Sequence, residues 1–222
     1  VVPNEKLVFT DAYTSAWEPS GKAFMTGILT FEEEDGKTRY TARGRHWSVE
    51  DRQAHEQRGF EQGWGIATDQ LEAIAKTLLG RIVDGAVHLK ELDDFDDTLR
   101  EIDRVVILGC GTAAYSGMLG KYAMEKWARI PVEVELSHEF RYRDPVIDAR
   151  TLVVSISQSG ETMDTLMAVK YAIDAGARTL SICNTQGATI ARESDAVIYT
   201  HAGPEVAVAS TKAFVAQVAA LY

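Results

Sequence analysis

From residue 104 onward, short apolar runs and stretches of helical period take turns along the chain, and this rhythm restricts the fold more than any other feature. Strands are predicted near residues 104–109, 131–136, 151–156, 178–183 and 196–200, and helices near 112–128, 161–175, 187–194 and 206–222. Apolar strands separated by helices form parallel βαβ units, with helices on both faces and right-handed crossovers. The expected class is α/β, a five-stranded, parallel, doubly wound sheet. Ligands of such sheets sit at the carboxyl ends of the strands.

Two loops at that edge are built to hold an anion. Ile156-Ser157-Gln158-Ser159-Gly160-Glu161-Thr162 follows the apolar run Leu152-Val153-Val154 and precedes a helical pattern. A loop entering a helix presents free backbone N–H groups and the positive end of the helix dipole, and its hydroxyls add donors. Gly109-Cys110-Gly111-Thr112 repeats the arrangement after the strand Arg104-Val105-Val106-Ile107-Leu108. Either loop alone also reads as an ordinary βα connection. Together, and with so many hydroxyls, they point to phosphate.

The chain's 222 residues are enough for one or two domains with a core, and 45% hydrophobic with 25% charged residues is ordinary globular composition. A formal net charge of -10 argues against nucleic acid, which requires an extended basic patch. A small phosphorylated ligand remains compatible, because each helix N-terminus contributes about 0.3–1 kcal/mol and each hydrogen bond to a charged group roughly 1.5–3 kcal/mol. Cys110 and Cys183 are the two cysteines, and their spacing matches neither a zinc site nor a redox pair. No metal or cofactor is expected, and a reducing, cytoplasmic setting fits. Cys110 at a helix start could be an activated thiol, but with no histidine near it in sequence it reads as a small space-filler. No apolar run is long enough to cross a membrane, and the start, Val1-Val2-Pro3-Asn4-Glu5, is not a signal peptide. The missing Met suggests a processed chain or a fragment.

Before residue 76 the pattern differs. Apolar and polar residues alternate over 5–13, 23–33 and 37–47, with Asp35-Gly36 between the last two, a dipeptide suited to a type I′ hairpin turn. Three antiparallel strands are predicted. Ser48 then caps a long helical segment, with Asp51 three residues on as in a capping box. Gly59, Gly63 and Gly65 within it predict a kink or a close packing contact. An acidic helical stretch, residues 91–100, links this part to the parallel sheet.

Several residues carry two readings. Gly109-Cys110-Gly111-Thr112-Ala113-Ala114 satisfies G-x-G-x-x-A, and Glu133 and Glu135 lie at about ribose-binding spacing. An NAD-dependent dehydrogenase is therefore a third functional reading, although both glutamates also suit the solvated face of an edge strand. Arg141-Tyr142-Arg143 is either a cationic clamp or a surface turn or subunit contact. His138 and His201 are either proton carriers or polar loop residues.

Taken in order, Cys110-Gly111-Thr112, Glu139-Phe140-Arg141-Tyr142-Arg143, Ser157-Gln158-Ser159-Gly160-Glu161-Thr162, Ile182-Cys183-Asn184, Arg192-Glu193-Ser194-Asp195 and Ala209-Ser210-Thr211-Lys212-Ala213-Phe214 resemble the sugar isomerase (SIS) domain of glutamine:fructose-6-phosphate aminotransferase. The resemblance runs over residues 77–222 and implies a flavodoxin-like sheet. It also implies that Thr112, Ser157, Gln158, Ser159 and Thr162 hold the phosphate and nearby hydroxyls of fructose 6-phosphate or glucosamine 6-phosphate, and that Cys110, Gly111, Val208 and Ser210 line the sugar. Lys212 either steers the phosphate or stays solvated. Ala113 replaces a Ser found in other members of the family, at the expense of one hydrogen bond.

The family enzyme also has a glutaminase domain opening on a nucleophilic Cys, and a second SIS subdomain supplying a glutamate base, a ring-opening histidine and a tail lysine. This chain opens on Val1 and reaches Tyr222 inside a predicted helix. A positioned base is worth about 10²–10⁴-fold, so binding with little or no turnover is expected.

Residues 1–76 resemble something else. Arg43-Gly44-Arg45-His46-Trp47, Glu50-Asp51-Arg52, His55-Glu56 and Gly59-Phe60-Glu61-Gln62-Gly63-Trp64 are similar to the closing half of a START-like (SRPBCC) helix-grip domain, in the branch of heat-shock chaperone ATPase activator homologues. That family implies an apolar-ligand or cochaperone module, the second functional reading. Trp17, Trp47 and Trp64 either line such a pocket or form plain core. The expected order is thus a partial α+β helix-grip segment (1–76), a helical linker (77–103) and a first SIS subdomain truncated at its C-terminal end (104–222), two partial domains spliced near Ala75-Lys76-Thr77. Half a helix-grip sheet exposes an unpaired strand edge, which favours a homodimer or aggregation.

Overall fold

The computed structural model describes all residues except Ser15, Trp17, Lys22, Ala207 and Val208, so the readings of Trp17 and Val208 lie outside the described residues. The chain divides into two compact units, Val1–Ile66 and Ala67–Tyr222. In the first, β1 (Lys6–Thr10), β2 (Met25–Glu34) and β3 (Lys37–His46) form an antiparallel sheet in that order. Asp35 (φ 52°) and Gly36 (φ 72°) close the β2–β3 hairpin with both angles positive, as a type I′ turn requires. The Asp11 carboxylate accepts from the N–H groups of Phe24 and Met25 and clamps the end of β1 to the start of β2.

The helical segment after Ser48 is two helices, α1 (Val49–Gln57) and α2 (Phe60–Leu78), and the unit boundary falls within α2. Ser48 Oγ accepts from Asp51 N–H at 3.0 Å, the expected cap. The Asp51 carboxylate accepts from the Ser48 hydroxyl instead of reaching the cap's N–H as a full capping box would. Gly59 makes the break, at φ 84°. At Gly63 and Gly65 a Cβ would meet nothing within 4 Å among the described residues, so no packing contact is seen there. Trp47 is 70% exposed and so is not core, whereas Trp64 is half-buried with its ring edge-on to Phe60.

The second unit continues α2 into a small hairpin, β4 (Ile82–Val83) and β5 (Ala86–Val87), then a 3₁₀ turn over Lys90–Phe95 and α3 (Asp96–Glu101). The parallel sheet follows as β6 (Arg104–Gly109), α4 (Thr112–Trp127), β7 (Val132–Leu136), α5 (Ser137–Phe140), β8 (Thr151–Ser157), α6 (Met163–Asp174), β9 (Arg178–Cys183), α7 (Thr189–Glu193), β10 (Ala196–Tyr199) and α8 (Lys212–Leu221). Its strand order is β10-β9-β8-β6-β7, with every pairing parallel. The chain leaves β6 for β7 on one side and returns to β8 on the other. This reversal opens a crevice at the carboxyl ends of β6 and β8.

Alternating side chains feed two cores, one on each face. Val105, Ile107, Leu152, Val154, Ile156, Leu180 and Ile182 pack on one side, and Val106, Leu108, Val153, Phe140 and Ala168 on the other. Two-sided burial explains why these strands read as continuous apolar runs. Buried Arg81 ties α2 to the sheet, donating to Thr77 O (2.8 Å), Tyr199 O (2.7 Å) and the Glu91 carboxylate. Among the described residues no helix is long and apolar enough to cross a membrane.

Candidate functional site

The loops after β6 and β8 line one cavity of about 350 Å³. It gathers Cys110, Gly111, Thr112, Ser157, Gln158, Ser159, Thr162 and Ser210, every described residue assigned to ligand binding from sequence except Lys212. Ala113 lines it as well. Lys212 opens α8 beside the carboxylates of Glu72 and Glu205 and does not line the cavity. Arg141, Tyr142 and Arg143 are also outside it.

The 157–162 loop folds by spending half of its hydroxyl chemistry on itself. Ser157 Oγ accepts from Gly160 N–H at 2.9 Å and Ser159 Oγ from Glu161 N–H at 3.2 Å, which leaves both hydroxyl protons available. The loop's far side is pinned to α7: Gly160 O accepts from Ile190 N–H at 3.0 Å, and the Glu161 carboxylate accepts from Thr189 N–H at 2.7 Å. That bond, with the Thr189 side chain, holds the Glu161 carboxyl below the usual carboxylate range. Gly160 sits at φ 67°, and a Cβ there would collide with the Ala188 Cβ and lie 2.7 Å from Cys183 Sγ. Only glycine meets both demands.

Two helix N-termini converge on this cavity without side-chain caps. Thr162 at α6 and Gly111 at α4 each lack a cap hydrogen bond, unlike Ser48 at α1. At α4 the Ala114 N–H turns back to Gly111 O at 3.1 Å; the other first-turn N–H groups of the two helices have no side-chain cap, and both dipoles present positive charge. The approach is tight: a Cβ on Gly109 would lie 2.7 Å from Ala114 N. No Lys, Arg, His, Asp or Glu among the described residues lines the cavity. It can receive an anion on dipoles and hydroxyls, but it carries no evident proton acceptor.

Behind the ligand face, Cys110 Sγ lies 3.7 Å from Thr165 Oγ1, which donates to Ser137 Oγ at 3.1 Å. The thiol thus has hydroxyl neighbours and no histidine. Cys183 is buried, and burial pushes its thiol up. Among the described residues no group of three His, Cys, Asp or Glu side chains could hold a metal.

Other motif residues act as joints. Asn184 Oδ1 accepts from Thr200 Oγ1 and Ala202 N–H, and its Nδ2 donates to Gly203 O at 2.8 Å. Glu205 accepts from Thr211 N–H, Thr211 Oγ1 and Ala213 N–H and so caps α8. Burial opposes its ionisation, but those three donors outweigh it and keep its carboxyl below the usual range. Asn184 and Glu205 fix the two ends of the segment that brings Ser210 to the cavity. Asp195 is bonded to Thr179 N–H and Oγ1. Glu133 pairs with Arg104 at 3.1 Å, and Glu135 with Arg143, so both candidate ribose ligands are engaged in ion pairs on β7.

Gln217, Thr165 and Tyr115 also line the cavity, and the sequence reading missed all three. Gln217 had a signal: it is the lone uncharged polar residue in the helix KAFVAQVAAL.

Comparison with known proteins fits this geometry. A family model described as SIS domain matches residues 98–222, and one described as activator of Hsp90 ATPase homolog 1-like protein matches residues 1–76. The chain is 70% identical over 155 residues to the glutamine–fructose-6-phosphate aminotransferase [isomerizing] of Leifsonia xyli subsp. xyli, covering 69% of this chain and 25% of the relative. It is 63% identical over 155 residues to that of Streptomyces coelicolor, with the same coverage of 69% and 25%. The chain thus spans about a quarter of the length of these curated relatives. Among solved structures, the C-terminal domain of glucosamine-fructose-6-phosphate aminotransferase from Francisella tularensis superposes with a TM-score of 0.66 at 40% identity, over 70% of this chain and 44% of that one. The sugar isomerase domain of an RpiR transcription factor from Sphaerobacter thermophilus shares the fold alone, with a TM-score of 0.56 at 16% identity over 72% of this chain and 84% of that one. By motif, by sheet order and by the matched family model, this chain belongs to the SIS domain family.

Proposed function

We propose that the cavity binds a hexose phosphate, fructose 6-phosphate or glucosamine 6-phosphate, as part of an isomerising aminotransferase that converts the first to the second. The phosphate rests on the 157–162 loop and the N-termini of α4 and α6, and the sugar extends past Cys110 and Gly111 toward Ser210; Val208 belongs to the same proposed set. The observation that carries this reading is the meeting in one cavity of two helix N-termini without side-chain caps and a set of hydroxyl side chains that includes those of Thr112, Ser157, Ser159, Thr162 and Ser210. With no carboxylate or imidazole among its described lining residues, the cavity supports binding rather than turnover. The two cysteines are free, in keeping with a cytoplasmic setting. The dehydrogenase reading gains no support, because Glu133 and Glu135 are held by arginines.

Calorimetric titration of the chain with fructose 6-phosphate tests the assignment. Saturable binding is expected, weakened about tenfold or more in Ser157→Ala, which loses both a hydroxyl donor and the bond that shapes the loop (roughly 1.5–3 kcal/mol for a hydrogen bond to a charged group). An unchanged affinity in the variant would sink the site.

A further inference from the structure

Gln217 is 2% exposed, on a helix otherwise built of apolar residues and one terminal lysine. A buried carboxamide has two donors and two acceptor positions to satisfy, and leaving them bare is costly. The structure supplies little. Ser116 Oγ lies 3.3 Å from Gln217 Oε1, but the single Ser116 proton already goes to Ala113 O at 2.7 Å. No other hydrogen bond reaches the amide among the described residues. Gln217 nevertheless lines the cavity, on the α8 wall, while the phosphate-ready loop belongs to the β8–α6 connection.

The chemistry separates the two walls. The doubly ionised phosphate of a sugar ester only accepts hydrogen bonds, and two helix N-termini already meet that need. A carboxamide offers a donor and an acceptor side by side, the complement of a hydroxyl that does both. Resting on the hexose-phosphate reading above, we propose that the Gln217 carboxamide binds a hydroxyl of the sugar and thereby makes the cavity prefer a sugar phosphate over phosphate alone. Ser116 is the positioning residue that holds the amide from behind. Ser116 engages one position at one end of the amide, so each end keeps at least one position for the ligand hydroxyl.

The full chain is titrated with fructose 6-phosphate and, separately, with inorganic phosphate. Gln217→Met, close in shape but without the amide, is expected to lose about tenfold in affinity for fructose 6-phosphate while phosphate affinity is retained. Ser157→Ala is expected to weaken both ligands. Wild-type affinity for fructose 6-phosphate in Gln217→Met would overturn the inference and leave the phosphate site standing; a wild-type chain that binds neither ligand would overturn the hexose-phosphate reading itself. Since a buried substitution can unfold a helix, the wild-type protein supplies a second measurement. In ¹⁵N-labelled chain, the Gln217 side-chain NH₂ resonances are expected to move with fructose 6-phosphate and to stay in place with phosphate. If they stay in place with both while the amides of the 157–162 loop move, the inference fails.

Discussion

The two sheets of this chain rest on different forces. The antiparallel sheet has the longer strands, ten residues each in β2 and β3, paired without interruption from Met25–His46 to Glu34–Lys37. Yet among the described residues of Val1–Ile66 no hydrophobic side chain reaches full burial. In the parallel sheet no strand exceeds seven residues, and β8 is buried at all seven positions. A backbone hydrogen bond nets only about 0.5–1.5 kcal/mol against water, whereas fully burying a Val, Leu or Ile contributes about 1.5–3 kcal/mol. Ladder length and stability are therefore separable here, and the shorter strands carry the firmer unit.

The most direct way to break this contrast is to cut the same side chain in both sheets. Ile107 in β6 is fully buried, and Ile107→Ala is expected to cost about 2–5 kcal/mol. Ile28 in β2 is half-buried, and Ile28→Ala is expected to cost less than about 1.5 kcal/mol, half the value of a full burial. Urea unfolding followed at the remaining isoleucine methyls by NMR reads each unit separately. Equal costs at the two positions would show that the N-terminal sheet has a core of its own.

Glycines sharpen the contrast, because the same substitution should act with opposite sign. Gly160→Ala forces a Cβ into Ala188 at positive φ, with strain of about 1–2 kcal/mol and overpacking of about 1–3 kcal/mol. A loss of about 2–5 kcal/mol is expected from these together, along with fructose 6-phosphate binding. Gly63, in the first turns of α2, faces open space, so Gly63→Ala should stabilise by about 0.5–1 kcal/mol. Paired melts of the two variants read both signs; a destabilised Gly63→Ala would mean that the face of α2 at Gly63 is packed against something.

These differences also mark how far the residues alone could lead. The five apolar runs announced the parallel sheet because two-sided burial leaves no polar alternation to blur them. Asp35-Gly36 announced its hairpin because long alternating strands flank it. Asp84-Gly85 is the same dipeptide, with φ angles of 52° and 78°, and it went unnoticed because its strands are two residues each. That some glycine would interrupt the helix after Ser48 was legible. Which one was not, since φ at Gly59 is decided by how the chain re-enters α2. The site loops were readable from their hydroxyls, but the pinning of Gly160 and Glu161 on α7 depends on residues about 30 positions downstream. Gln217 was visible as an oddity in its helix, and only the packing of α8 on α4 shows that it reaches the cavity.

The smallest expected difference is in acid, and its direction follows from which groups titrate. In the N-terminal unit His46 Nε2 and His55 Nδ1 are 2.8 Å apart, with the rings of Phe24 and Phe60 against His55. Burial, then the charges of His46 and Arg58, lowers the His55 pKa from its ordinary 6.5. The unfolded chain therefore takes up its proton first, so stability is full above about pH 6.5 and declines from there down to the folded value. In the C-terminal unit the lowered groups are carboxylates. At Glu91 and Glu205 burial opposes ionisation, but hydrogen bonds, from Arg81 at Glu91 and chiefly from Ala213 and Thr211 at Glu205, outweigh it. Their contribution is present above the ordinary 4.5 and is lost as pH falls through the folded values. Asp11, lowered chiefly by the Met25 N–H, adds a loss of the same kind to the N-terminal unit, so only the upper window separates the two. Followed by NMR from pH 8 to 3, the Ile28 methyls should report weakening as pH falls below 6.5, while those of Ile107 hold until about pH 4.5. In His55→Gln the upper step should disappear. If it persists, another group titrates there, and the histidine pair is not what distinguishes the antiparallel sheet from the parallel one in acid.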